Sequence, residues 1–421
     1  MSDNLSTKSV IVYDNGTFVS VAERLAKDFG KVMYYSPCKS AFPQVKNALI
    51  GHGLRGVERI NNFWDHIDEM DIAVFPDVMD GDIQLHLDSL GKKVFGSRKG
   101  EDMELNRDGM KEYMKELGLP VGHYEIVKGM DALRKYIKAH KNIWIKISTY
   151  RGDFETLQAK NYSYIQLKLD EIERELGAVK NEVEFICEDD LDDKVEVGYD
   201  GYCINGQFPN ETMFGIEVKD LGYVGLMKPY KDLPEPVLNF NNVITPTMKA
   251  YGYKNFVSTE VRIGRDQIGF MNDFCGRTGS PPNELYQNMF TNFSQIVWEG
   301  AHGKCIDPIP ENKWGVEVLI HCSWAEKNWL PIQFPEKYYD NLKFRDVCVI
   351  NGQHYIIPQY VGLPEVGAIV ATGDTLEAAL SQVEEIADTI RGYYVEVPLN
   401  AIDKAKEEIE KLKTFGYDIF K

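Results

Sequence analysis

Residues 255–284, NFVSTEVRIGRDQIGFMNDFCGRTGSPPNE, place two carboxylates on what reads as one β-hairpin. The first arm, Phe256 to Ile263, alternates apolar and polar residues, so Glu260 and Arg262 share a face. The second arm runs from about Ile268 to Phe274, and Gly264, Arg265, Asp266 and Gln267 supply the turn that pairs the arms antiparallel. That pairing puts Glu260 near Asp273, within about one residue of register. Adjacent carboxylates repel each other. A hard divalent ion between them removes that cost and asks only for oxygen ligands. Arg277, just beyond Asp273, adds a fixed positive fork for a phosphate or carboxylate. Acids on a solvated hairpin face would need no such role. Here Phe256, Val257, Val261, Ile263, Ile268, Phe270, Met271 and Phe274 surround them, and charges in such company are usually paired or functional. The segment suits a nucleotide phosphate held through Mg²⁺.

Bulk properties narrow the rest. With 421 residues and 43% hydrophobic content, the chain can build two to four domains or subdomains. It has no run of about 18 apolar residues to span a membrane. The start, MSDNLSTKSV, lacks an apolar signal core, so a cytoplasmic location is expected. The 7 cysteines are scattered and never form CxxC, which fits reduced thiols and argues against structural zinc. A net charge of −18 disfavours a broad basic face for polymeric nucleic acid. Small-molecule partners are the expectation, with a homodimer suggested only by the common symmetry of soluble proteins.

Residues 8 to about 98 read as strands SVIVYD, KVMYY, DIAVFP and KKVFG alternating with helices at Phe18–Phe29 and Gly81–Leu90, hence a parallel sheet. Asp14-Asn15-Gly16 follows the first strand, where such sheets bind ligands, but with a single glycine a plain turn is the better reading. Leu105–Leu117 is a helix stopped by Gly118 and Pro120. A strand follows at His123–Val127, a helix at Asp131–Ala139, and a strand NIWIKIS that contains Lys146. A lysine there needs an open face or a partner. TYRGDFET carries Arg151 on a loop that could cover phosphates. After a helix from Tyr164 to Leu176, VEFIC is a strand running into the acidic EDDLDD, and KVEVGYDGYCING reads as strand, turn and strand. A strand that leads into carboxylates and then Glu196 has the form of a hinge holding an adenosine. Residues of about 310–395 read as a further compact α/β unit, with a helix at Thr375–Ile390 capped by Thr375 or Asp374. A charged surface helix, Ala401–Lys413, ends the chain.

This series of elements resembles the ATP-grasp superfamily, and within it the phosphoribosylamine–glycine ligase branch. VFGSRKGEDMELNRDGMKEYMKELGLPVGHYEIVKGMDALRKYI is similar to that branch's entry into the fold, and LPEVGAIVATGDTLEAALSQVEEIADTIRGY to its C-terminal domain. The resemblance implies an α/β (α+β) ATP-grasp fold divided at 1–98, 99–182, 183–308 and 309–421. These would be an N-terminal parallel-sheet domain, small and large ATP-grasp subdomains, and a C-terminal domain. It implies ATP and Mg²⁺ (with Mn²⁺ an alternative) and an ATP-dependent carboxylate–amine or thiol ligase working through an acyl phosphate. By resemblance, Arg107 and Lys146 meet the phosphates and Arg151 closes over them. Glu188 or Asp190 takes the ribose, and Glu196 sits near the ribose or metal edge. Glu260 and Asp273 bind metal, while Arg277, helped by Arg262, holds the transferring group. The family's Glu-x-Asn-x-Arg stands here as Asp273-Phe274-Cys275-Gly276-Arg277, and cysteine is a poor Mg²⁺ ligand. The family's glycine-rich N-terminal motif is replaced by YDNGTFVS, and its Gly-Gly-Met-Gly segment by LGYVGLM. These departures point to another acceptor. They also leave room for a different class, a regulatory nucleotide-binding protein with a degenerate site.

Overall fold

The computed structural model describes residues 3–37, 49–147, 156–191, 193–358 and 365–418. Among them the strands form four sheets. The first holds β1 (Ser9–Tyr13), β2 (Lys31–Tyr35), β3 (Val57–Arg59), β4 (Ile72–Val74) and β5 (Lys93–Phe95), all parallel, in the order β3-β2-β1-β4-β5. Both faces of this sheet are buried. Val10 and Val12 point into the main core, while Ile11 and Tyr13 point into a second cluster with Phe63 and Phe75. The uninterrupted apolar run of β1 follows from that double burial. Helices α1 (Val19–Leu25) and α2 (Gly81–Ser89) belong to this unit. The three-residue β3 has no sequence signal of its own and is added to the expected strands.

The expected helix from Leu105 to Leu117 is broken into α3 (Asp102–Leu105) and α4 (Arg107–Glu116). Asn106 makes the break: its backbone is non-helical and its side chain accepts from Gly109 N, a capping bond that starts α4. A small lobe follows, built on β6 (Tyr124–Lys128), β7 (Ile143–Lys146), β8 (Thr156–Ala159) and β9 (Glu184–Asp189) in the order β6-β9-β7-β8. Helices α5 (Met130–Ala139) and α6 (Tyr162–Leu176) cover this sheet. The lobe owns a separate core that includes Leu133, Ile137, Ile143, Ile145, Leu169, Ile172 and Phe185.

The large sheet contains β10 (Val195–Ile204), β11 (Glu211–Val218), β12 (Gly222–Pro229), β13 (Lys254–Ile263) and β14 (Gly269–Cys275). The expected strand, turn and strand over KVEVGYDGYCING is one unbroken ten-residue strand, β10. Its Asp200 is not a turn residue. The side chain is buried and accepts from Ser258 Oγ at 2.6 Å and Tyr223 Oη at 2.5 Å. Helices α7 (Glu235–Ala250), α8 (Asn283–Met289) and α9 (Phe293–Ala301) pack on this region.

The sheet does not stop at residue 308. Strands β15 (Trp314–His321), β17 (Leu342–Phe344) and β20 (Glu365–Gly373) extend it, in the order β14-β13-β10-β11-β12-β15-β20-β17. Strands β16 (Leu330–Ile332), β18 (Val347–Ile350) and β19 (Gln353–Ile356) make a small separate sheet. The last two helices are α10 (Leu376–Ala387), capped by Thr375, and α11 (Asn400–Thr414). Strand periodicity cannot tell which sheet a strand joins, so the C-terminal segment read as separate although its strands complete the large sheet.

Candidate active site

The hairpin β13–β14 forms as expected. Glu260 and Asp273 are directly opposed in its register. A bulge follows, because Val261 pairs with Met271 and Asn272 is left as the extra residue on β14. The bulge gives Asn272 two contacts. Its Nδ2 donates to Glu196 Oε2 at 2.7 Å, and its carbonyl accepts from Lys146 Nζ at 3.4 Å.

Lys146 ends β7 and is only 5% exposed. Its Nζ lies 3.5 Å from Glu188 Oε2 on the neighbouring β9 and 3.6 Å from Asp273 Oδ2 on the large sheet. One turn apart on α4, Arg107 and Lys111 face the same place. Arg107 Nη2 is 3.8 Å from Asp273, and Lys111 Nζ is 3.0 Å from Glu188 Oε1. Burial works to raise the Asp273 acid. The charges of Lys146, Arg107 and Lys111 overcome it and hold the group well below the usual carboxylate range. Glu260 goes the other way: burial first, then the charges of Glu196, Asp273 and Glu217, push it well above that range.

Two carboxylates side by side, one favoured as its anion by three cations and the other disfavoured as its anion by burial and acidic neighbours, fit a divalent cation. Mg²⁺ is commonly held by one or two carboxylates plus substrate phosphates. Among the described residues no group of three His, Cys, Asp or Glu side chains closes on a single point as an all-protein metal cage would. Burial pushes the Cys275 thiol well above the ordinary value, and its Sγ faces Arg277 O at 3.7 Å.

The remaining expected residues fall in different places. Arg262 joins the cluster, with its Nε 3.0 Å from Glu196 Oε2. Glu196 therefore stands beside the carboxylate pair, held by Arg262 and Asn272. Arg277 is held by Glu104 at 2.9 Å and Asp77 at 3.5 Å, and Gly276 N donates to the other Glu104 oxygen at 2.8 Å. Glu188 sits inside the lysine cluster and is not a free rim carboxylate. Asp190 accepts from Gln158 Nε2 at 2.9 Å. Arg151 lies outside the described residues. His123 is exposed beside Asp189, whereas His321 lines the cleft.

Several cleft residues escaped the sequence reading. Lys111 follows Arg107 by four residues, a spacing that puts both on one helix face and could have flagged it. Glu217 and Lys219 lie two residues apart at the end of β11, a strand with no assignment from sequence. Burial, then Glu196, raises Glu217 to about 8. Asp77 and Glu104, the partners of Arg277, have no local signal.

Arg107, Lys111, Lys146, Glu188, Glu196, Glu217, Lys219, Glu260, Arg262, Asp273 and Arg277 line one cleft of about 840 Å³ between the lobes, which Asp190 and His123 do not line. A parallel-sheet domain, a small lobe with its own core, and a long antiparallel sheet meeting the lobe across a charged cleft make up the ATP-grasp fold, and this chain has it. Its likeness to solved structures runs over nearly the whole chain. The phosphoribosylamine–glycine ligase of Thermotoga maritima has a TM-score of 0.67 at 17% identity, over 92% of this chain and 98% of that one. The biotin carboxylase domain of Hydrogenobacter thermophilus 2-oxoglutarate carboxylase, crystallised with MgADP and bicarbonate, has a TM-score of 0.66 at 12% identity, over 96% and 95%. Campylobacter jejuni biotin carboxylase in a β-γ-ATP complex has a TM-score of 0.64 at 14% identity, over 99% and 97%. No protein-family model and no curated protein matches the sequence.

Proposed function

We propose that this chain is an ATP-dependent ligase that activates a carboxylate as an acyl phosphate and transfers the acyl group to an amine. The observation that carries the reading is the convergence of Lys146, Arg107 and Lys111 from one side on the Glu260–Asp273 pair from the other. Three cations and two carboxylates around one cleft suit a metal-bound polyphosphate, where catalysis is mostly positioning and charge neutralisation. The neighbours crystallised with adenine nucleotides share the fold and support the same ligand.

In this reading Glu260 and Asp273 hold Mg²⁺, which would neutralise charge that develops on the phosphate oxygens. Lys146, Arg107 and Lys111 take the phosphate oxygens that their present partners, Glu188 and Asp273, leave to them. Arg277, braced by Glu104 and Asp77, keeps its guanidinium in a fixed pose for the transferring group or the reacting carboxylate. Arg262 orders Glu196 beside the metal pair. Trp144, Leu191 and Met271 line the same cleft and offer an apolar surface for a base.

The test is ADP and phosphate release across a panel of carboxylic acids and amines, with wild type beside Glu260→Gln and Asp273→Asn. Product is expected only when acid and amine are both present, and either variant should abolish it. Release that persists in both variants overturns the reading. Cysteine at position 275, where the resembling family has asparagine, favours a second reading, a nucleotide-binding protein without turnover. That reading predicts nucleotide binding and no release with any acceptor.

A further inference from the structure

The roles above leave unused a hydroxyl in the floor of the cleft and the buried carboxylate behind it. Regular pairing of β13 with β14 sets Ser258 opposite Cys275 and Glu260 opposite Asp273. Side chains alternate along a strand, so Ser258 and Glu260 share one face, about 7 Å apart. Ser258 lines the cleft together with Cys275, Arg277 and Gly279. It therefore stands on the Arg277 side of the carboxylate pair, where the ligase reading puts the transferring group. A Cβ on Gly279 would come within 3.1 Å of Ser258 Oγ, so the glycine keeps that side of the hydroxyl clear.

On its other flank Ser258 pairs with Asp200 of β10, and its Oγ donates to Asp200 Oδ1 at 2.6 Å. Tyr223 Oη, from β12, donates to Asp200 Oδ2 at 2.5 Å. Gly215 on the intervening strand makes room for this bond, because a Cβ there would strike Tyr223 Oη. Asp200 is 5% exposed, and among the described residues no cation pairs with it. The titratable groups that face it are Tyr223, Tyr286 and Glu217. Burial raises its acid to about 6, and the Ser258 and Tyr223 hydrogen bonds work against that rise. Asp200 is thus an anion at neutral pH that protonates readily. A buried anion without a counterion costs stability, and such groups gather at functional sites.

Ser258 has one hydroxyl proton and gives it to Asp200, so toward the cleft its oxygen accepts. We propose that Ser258 and Asp200 form a proton relay that takes the surplus proton of the attacking amine. The relay rests on the ligase reading and supplies the base that reading lacks. When a neutral amine attacks the acyl carbon, its nitrogen becomes positively charged. That nitrogen gives one proton to Ser258 Oγ as the Ser258 proton moves to Asp200 Oδ1. The carbon–oxygen bond to the phosphoryl group breaks, inorganic phosphate leaves with the electron pair, and an amide remains. After product release Asp200 returns the proton through Ser258 to water in the cleft. Ser258 touches the substrate, and Asp200 acts through it.

The test takes the acid and amine that support ADP release in the panel above and follows amide formation against pH. Wild-type kcat should fall as pH drops through about 6, where Asp200 gains its proton. Ser258→Ala should lower kcat about a hundredfold, leave the KM for ATP within about twofold, and remove that acid limb. Asp200→Asn keeps an oxygen for Tyr223 and should act alike; if it fails to fold, the Ser258 variants decide. Ser258→Thr restores the hydroxyl and should restore both the rate and the limb. Hydroxylamine is a weaker base whose nitrogen sheds its proton unaided, so Ser258→Ala should slow it far less than the amine. The relay is overturned if Ser258→Ala keeps the wild-type rate or its acid limb, or loses as much rate with hydroxylamine. A wild type that forms no product with any acid and amine overturns the ligase reading itself, and the relay falls with it.

Discussion

Lys146 sets one positive charge against Glu188, buried like the lysine itself, and Asp273, which is partly buried. Removing it leaves these two carboxylates short of a counterion. Lys146→Ala should therefore cost about 3 kcal/mol in denaturant unfolding. Glu260 differs, because it is an acid forced to keep its proton. Glu260→Gln should leave the unfolding midpoint unchanged or higher while abolishing Mg²⁺-dependent nucleotide binding, and a large loss of stability would contradict the assignment. Acidity gives a further check. Burial raises Asp200 to about 6, Asp14 to about 7, and Asp346 and Glu217 to about 8. Each folded value exceeds the unfolded one, so the native state binds more protons and the stability they contribute is lost as pH rises through these values. The melting temperature should fall from about pH 4, where the unfolded carboxyls ionise, to about pH 8, and Asp346→Asn should flatten that slope. Lys146, Glu260 and Asp273 could be picked from the sequence because each is a charge among apolar neighbours, and Arg277 because it lies just beyond Asp273. Lys219 could not, since a lysine in a turn looks the same whether it faces solvent or a cleft. Glu188 was placed with the ribose because no sequence shows which cation will stand across from a carboxylate.

Among elements, the β13–β14 hairpin was the most legible. Its period of two and its turn fixed the register, and only the bulge went unseen. That bulge aims Asn272 at Glu196 and presents its carbonyl to Lys146. Asn272→Ala should cost about 1 kcal/mol and, by loosening Glu196, weaken nucleotide binding several-fold in a titration. Strand β10 shows the opposite case. Asp200-Gly201 carries a turn signal, yet Ser258 and Tyr223 satisfy the aspartate inside the sheet and the strand runs through. Tertiary hydrogen bonds overrode local preference there. The break between α3 and α4 was readable in principle, because Asn106 is a strong capping residue.

Across the molecule, the small lobe has a core of its own, while the parallel sheet and the C-terminal strands share the main one. The lobe meets the rest through Lys146–Asp273 and Lys111–Glu188, with Arg107 Nη1 3.5 Å from Ile147 O and the Met271 N bond to Pro120 O alongside. Hydrogen exchange in β7 and β9 should slow when MgADP is added, and unchanged exchange would argue against a nucleotide between the lobes. The Lys146 contact has a kinetic corollary. Without ligand the lysine bridges both lobes with ion pairs, and an arriving triphosphate has to break them on a chain of net charge −18. Added salt screens that long-range repulsion, so nucleotide should enter faster in saline buffer. It should also leave faster, because the bound phosphates are then less tightly gripped. A stopped-flow series across ionic strength would show both rate constants climbing together.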